Sequence, residues 1–183
     1  MVFISNALRL SLSSMIELQD ITSTKPQEIQ FLANNHAIAK NLRDIFPFPY
    51  TLNDAHNFLE LAASGKLGKV FGIYSQGNFV GVGSIIPQRD VYRLNAEIGY
   101  WIGEGYWGRG YATNAVKLLA KYAFKELKLL RVYAYVFGFN TASMRVLEKA
   151  GFEREAIIKS SIIKEGKVHD EHLYSIRKEE STD

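Results

Sequence analysis

The chain has 183 residues, 47% hydrophobic and 22% charged, the balance of one ordinary globular domain with enough length to bury a core. It contains no cysteine, which excludes disulfides, thiolate metal sites, a cysteine nucleophile and an acyl group parked on an enzyme thiol. Net charge is only +3 with the cations scattered, so nothing points to nucleic acid, and no apolar run reaches the roughly 18 residues of a membrane span.

Residues 1–14 read as an N-terminal extension or an extra strand, because Leu8, Leu10 and Leu12 alternate. They lack the continuous apolar stretch and cleavage site of a signal peptide, so a cytoplasmic location is expected. Residues 15–178 read as a single domain and 179–183 as a short polar tail. Ile16 to Ile21 is a first core strand, and a helix runs from Pro26 to about Asn34. Pro47 and Pro49 impose a non-helical loop. Thr51 caps the next helix, with Asp54 three residues on, and that helix reaches Ser64-Gly65. Lys69 to Ser75 and Phe79 to Ile86 form a hairpin about Gln76-Gly77-Asn78. Asn95 to Ile102 is a strand, and a helix over about 108–127 buries Ala112, Ala115, Val116, Leu119, Tyr122 and Ala123 on a sheet. Its lysines at 117, 121 and 125 recur at helical spacing as a solvated face. Strand 131–137 and helix 140–150 follow, the latter stopped by Gly151. The chain closes with a hairpin, 152–163 and 168–177, turning at Glu165-Gly166-Lys167.

Residues 97–113 carry the chemistry. A strand stops in a glycine-dense turn that opens a helix, which leaves several backbone N–H groups pointing at one place. Gly108 and Gly110 have no Cβ, the helix dipole is positive there, and Arg109 adds charge. This is a phosphate cradle. Gly103, Gly105 and Gly108 spell the dinucleotide fingerprint, which also needs a carboxylate at the end of the next strand. That strand runs from Arg131 into Gly138-Phe139-Asn140 without one.

A later reading of the glycines, Trp107-Gly108-Arg109-Gly110-Tyr111-Ala112, resembles the pyrophosphate loop of the GNAT superfamily of N-acetyltransferases, with Trp107 in place of the usual Gln or Arg. Asn140 and Ser143, followed by Val146-Leu147-Glu148-Lys149-Ala150-Gly151-Phe152, resemble another segment of that superfamily. Phe46-Pro47-Phe48-Pro49-Tyr50-Thr51 with Asp54 resembles its ribosomal-protein N-terminal (RimJ/RimL-like) branch. The likeness covers residues 15 to 178. It implies a mixed α/β fold: a mostly antiparallel sheet of about seven strands, splayed at the cofactor site and flanked by about four helices. It implies acetyl-CoA as cosubstrate and no metal, with the pyrophosphate on N–H groups of Arg109 to Thr113. The cofactor contacts it implies are Gly108, Arg109, Gly110, Tyr111, Ala112, Thr113 and Asn140, with Trp101 and Ile102 on the strand that pairs with the pantetheine arm. Ser143 would donate to the leaving sulfur.

Glu97, on the strand facing the splay, is the candidate base, directly or through water; its alternative is an exposed salt bridge. Gly99 and Gly103 are expected to permit the bends that open the sheet. Asn140 is equally a helix cap, with Ser143 at the capping position. A backbone N–H near Ile102 is placed to polarise the thioester carbonyl. Phe46, Phe48, Tyr50, Trp101 and Tyr106 are candidate walls of an acceptor cleft, and the resemblance adds Asp170 with Leu173-Tyr174. His169-Asp170-Glu171-His172 alternates across a strand, so no three ligands converge on a metal. The expected activity is acetyl transfer to a primary amine, foremost a protein N-terminal α-amine, by direct attack in a ternary complex of a monomer or homodimer. Alternatives are a small-molecule amine (polyamine, amino sugar, antibiotic), a non-catalytic CoA-binding module, or a dinucleotide-binding oxidoreductase.

Overall fold

The computed structural model describes residues 10–12 and 16–178. Its strands are β1 (Leu10–Leu12), β2 (Ile16–Asp20), β3 (Lys69–Ser75), β4 (Asn78–Pro87), β5 (Asn95–Ile102), β6 (Arg131–Phe137), β7 (Glu153–Lys164) and β8 (Lys167–Arg177). They form one sheet in the order β1-β2-β3-β4-β5-β6-β8-β7. The helices are α1 (Pro26–Ala33), α2 (His36–Ala39), α3 (Leu52–Ala63), α4 (Tyr111–Lys125) and α5 (Thr141–Lys149). Every neighbouring pair is antiparallel except β5 and β6, which α4 joins as a parallel crossover. A dinucleotide fold is a mostly parallel sheet, so the oxidoreductase alternative fails on topology.

The mixed, mostly antiparallel fold is as the sequence implies, with one strand and one helix more. β1 pairs with β2 from Leu10↔Leu18 to Leu12↔Ile16, whereas Leu8, Met15 and the tail 179–183 lie outside the described residues. The extra helix, α2, is a single turn capped by Asn35, whose side chain accepts from the N–H groups of Ala37 and Ile38. Both long hairpins turn on two residues with positive φ, Gln76-Gly77 and Glu165-Gly166, as tight antiparallel connections require.

The sheet is covered on both faces. Under α4 lie Ala115, Val116, Leu118, Leu119, Ala120, Tyr122 and Ala123, packed on β5, β6 and the inner residues of β2 to β4. Leu118 and Leu119 are fully buried, each contributing roughly 2 kcal/mol. Ala112, at the exposed first turn, is only half-buried. On the other face α1 and α3 cover Val70, Tyr74, Phe79, Val82 and Trp101.

β5 and β6 stay together for three residues only, from Asn95↔Arg131 to Glu97↔Tyr133. Beyond that β5 continues on β4 and β6 continues on β8, so the sheet opens into a V. No bulge interrupts β5 at Gly99, and Gly103 follows its end. β5 keeps an unbroken register with β4 from Ala96↔Pro87 to Ile102↔Gly81, and Gly103 has ordinary dihedrals. The register break lies one strand over, at Ile73/Tyr74 in the β3–β4 pair.

Gly81 sits where β4 and β5 approach closely: a Cβ there would lie 2.2 Å from the Trp101 carbonyl oxygen and 3.0 Å from Ile102 Cα. Gly81→Ala is therefore expected to destabilise the fold by about 1–3 kcal/mol, read as a lower urea midpoint at unchanged slope. An unchanged midpoint would contradict this register.

Candidate active site

Gly103 N–H donates to the Val80 carbonyl (2.8 Å) and Gln88 N–H to that of Asn95 (2.9 Å). These two bonds bracket β5. By antiparallel alternation its odd-numbered residues exchange hydrogen bonds with β4, and its even-numbered ones turn their peptide groups toward β6. Because β6 has parted by then, the N–H groups of Tyr100 and Ile102 face the mouth of the V. The Ile102 carbonyl accepts from Trp107 Nε1 at 2.7 Å. Trp107 thus tethers the glycine turn to the end of β5.

The turn is built by backbone conformation. Gly108 (φ 76°) and Gly110 (φ 77°) are both left-handed, which ends the approach and starts α4 at Tyr111, three residues later than the sequence pattern suggests. The first helical bond is Asn114 N–H to the Gly110 carbonyl. The N–H groups of Gly108 through Thr113 have no acceptor among the described residues, and no side chain caps the helix. A Cβ at Gly108 or Gly110 would meet nothing within 4 Å, so the main chain is open to a ligand. These donors and the positive helix end fit a pyrophosphate. Arg109 does not point into them: its guanidinium folds back to the Gly105 carbonyl (3.1 Å) and over the Tyr106 ring. Hydrogen bonds from Ser75 and Arg109 hold the Tyr111 phenol below its ordinary pKa.

Side chains flank the V from both faces. On the α4 face, Asn140 caps α5 by accepting the Ser143 N–H (3.1 Å), and the Ser143 hydroxyl lies 2.7 Å from the Tyr100 hydroxyl. Burial pushes the Tyr100 phenol well up, more than the Ser143 bond lowers it, so the pair keeps its protons. On the opposite face Glu97 is 21% exposed and accepts a 2.7 Å bond from Arg43, itself 65% exposed. Glu97 is thus ion-paired, as one reading of the sequence expects, yet only partly exposed and part of the cleft wall. Glu171, opposite Phe137 on β8, is a second carboxylate; burial raises its pKa, Arg43 opposes this, and Glu97 adds to it.

One cleft of about 1130 Å³ takes in Glu97, Trp101, Ile102, Gly108, Gly110, Tyr111, Ala112, Thr113, Asn140 and Ser143. Of the expected catalytic and cofactor-binding residues, Arg109 alone lies outside its wall. Phe46, Tyr50, Trp101 and Tyr106 line the cleft as expected, but Phe48 turns out against His36. Asp170 does not reach it, being held by Lys159 and the Ser160 N–H, and Tyr174 is core, bonded to Glu148. Sequence reasoning missed the side chains of Tyr100, Arg43 and Glu171. Alternation along β5 already puts Tyr100 on the face opposite Glu97, a signal that was available; the other two arrive through tertiary folding.

An acetyltransferase (GNAT) domain family matches residues 16–153. The chain belongs to the GNAT acetyltransferase family. Among curated relatives it is 39% identical over 108 residues to the probable N-acetyltransferase YjcK of Bacillus subtilis, spanning 58% of this chain and 60% of that one. Thus it covers less than two thirds of that relative's length. Similar solved folds include RimL, a ribosomal L7/L12 α-N-protein acetyltransferase in complex with coenzyme A (TM-score 0.81, 20% identity, 93% of this chain and 98% of that one). Another is spermidine N-acetyltransferase from Vibrio cholerae with CoA and spermine (TM-score 0.77, 22% identity, 90% and 96%).

Because Gly110 needs a left-handed backbone but has free space around it, Gly110→Ala carries only a conformational cost of about 1–2 kcal/mol. Calorimetry is expected to show CoA affinity falling about tenfold or more as the cradle N–H groups lose register. Unchanged affinity would remove these groups from the ligand site.

Proposed function

We propose that the protein transfers acetyl from acetyl-CoA to a primary amine by direct attack in a ternary complex. The observation that carries this reading is the meeting, in one cleft, of six free backbone N–H groups, an opened strand pair, a carboxylate on one face and a paired hydroxyl on the other. The cosubstrate supplies an activated thioester, with its pyrophosphate on the N–H groups of residues 108–113. The Tyr100 peptide group is free to pair with its pantetheine amides, and the Ile102 N–H is available to the thioester carbonyl, while the Ile102 carbonyl stays with Trp107. Asn140 orders the start of α5 and so fixes Ser143.

Glu97 takes the proton that the acceptor must lose, directly or through water. The new C–N bond forms as the C–S bond breaks. Ser143 then donates a hydrogen bond to the departing sulfur, its hydroxyl oriented by Tyr100, whose phenol keeps its own proton at neutral pH; the thiolate takes its proton from solvent. Without a cysteine the protein has no thiol on which to park the acyl group.

The acceptor that fits best is a protein N-terminal α-amine, beginning with Ser or Ala. An α-amine titrates near ~8 against ~10.4 for a lysine, so one carboxylate suffices to deprotonate it. The apolar walls of Phe46, Trp101 and Phe137 accept a peptide's first residues. RimL, of similar fold, is named for this acceptor. One observation favours a polyamine instead: Glu171 beside Glu97 offers a second cation site, though Arg43 partly neutralises the pair.

Free-thiol release with acetyl-CoA and amines tests the reading. Peptides starting with Ser or Ala are expected to turn over faster than spermidine. Glu97→Gln is expected to lower kcat about 100-fold or more, and Ser143→Ala similarly, with acetyl-CoA affinity nearly unchanged. Full activity in both variants would sink the assigned roles. An acetyl-enzyme that survives gel filtration would exclude direct attack, and acetyl-CoA binding with no turnover on any amine would favour a non-catalytic module.

A further inference from the structure

The lysine row of α4 is not an isolated solvated face. A groove of about 1080 Å³ runs beside it, lined by Lys117, Lys121, Lys125, Lys128, Arg177 and Lys178 against only two carboxylates, Glu126 and Glu153. The groove thus carries +4 while the whole chain nets +3, so the remainder of the molecule is slightly acidic. The sequence hides this because the six cations come from three places: α4, the turn after it, and the end of β8. Lys178 is brought in by its N–H bond to the Leu130 carbonyl, which docks the end of β8 beside the loop that follows α4. Complementing the α4 dipole accounts for Lys125 and Lys128 at its C-terminal end, but not for Lys117 and Lys121 further up or for Arg177 and Lys178 on another element. None of the five lysines has an ion-pair partner among the described residues.

The floor is apolar, made of Ala120, Phe124, Ala150 and Ile176. We infer that this groove is a docking site for an extended acidic segment of a partner protein, with carboxylates on one edge and apolar side chains between them. Spacing supports the match. Lysines four apart on a helix rise about 6 Å, and same-side residues of an extended chain repeat every ~6.6 Å. Single-stranded nucleic acid fits less well, because it is held by a series of exposed aromatic platforms, and this groove offers one half-buried phenylalanine. The groove is distinct from the acetyl-transfer cleft but neighbours it: Lys149 lines the cleft and Ala150 the groove, and on β8 Glu171 lines the cleft and Arg177 the groove. The inference does not depend on the acetyltransferase reading.

Fluorescence anisotropy of the full-length protein with a labelled peptide of alternating glutamate and leucine tests it, alongside a labelled single-stranded RNA. Binding of the peptide at low salt is expected, weakening steeply toward about 0.15 M salt as screening sets in. Lys121→Glu with Lys125→Glu is expected to weaken it at least about tenfold, while the exposed, distant Lys66→Glu leaves it unchanged. An intact thermal transition and unchanged CoA affinity in the double variant would show that its fold is retained. No peptide binding, equal weakening by Lys66→Glu, or preference for the RNA would each overturn the inference. So would binding only after Glu179→Gln and Glu180→Gln, which would make the chain's own acidic residues the occupant.

Discussion

Everything in the site depends on two parallel strands that pair for three residues and then part. A paired β5 and β6 would consume the peptide groups of Tyr100 and Ile102 in their own ladder. Parted, they turn those groups to a ligand and let one cleft pass from one face of the sheet to the other. The crossover helix gains from the same opening, because its N-terminus lies at the mouth of the V with its first N–H groups unused. A strand ladder and a helix end, each deprived of partners, meet at one point. Unpaired buried backbone groups are costly, so such a place is stable only where solvent or a ligand completes it.

The two faces of β5 divide the chemistry. One face holds the Tyr100–Ser143 hydroxyl pair, half-buried; the other holds Glu97 with Arg43 and Glu171, partly solvated. The strand thus keeps the hydroxyl pair and the carboxylates from hydrogen-bonding to each other. The Arg43 loop is fixed from a distance. At the tip of the β7–β8 hairpin, Lys164 is almost buried and donates to the Leu42 carbonyl (2.8 Å) and to Asp44 (2.7 Å), and Glu165 pairs with His36. The exposed His36 pair contributes little, but a buried ammonium that lost its partners would be costly. Lys164 thus ties the far edge of the sheet to the residues beside Glu97.

Local signals were strong in this chain and long-range ones were not. Alternation along 95–102 and 131–137, the Asn140 cap, the Thr51–Asp54 capping box and the Gly151 stop are each decided within a few residues, and the structure reproduces them. α4 starts later than helical periodicity indicates, because periodicity does not register the left-handed Gly110 that precedes it. The point where β5 and β6 part is set by the end of a three-residue pairing, which no local pattern in either strand marks. Arg109 was assigned to the cradle by proximity in sequence, yet its carbonyl and aromatic partners in the preceding turn hold it elsewhere. Arg43 and Glu171 reach Glu97 across long sequence separations, which no local pattern encodes.

The central claim is that the N–H groups of residues 108–113 and the opened end of β5 together form an acetyl-CoA site. Calorimetric titration of the protein with acetyl-CoA, with NADH in a parallel cell, addresses it most directly. The account predicts one-site acetyl-CoA binding and no heat from NADH. Silence with acetyl-CoA, or binding of NADH in its place, would contradict it.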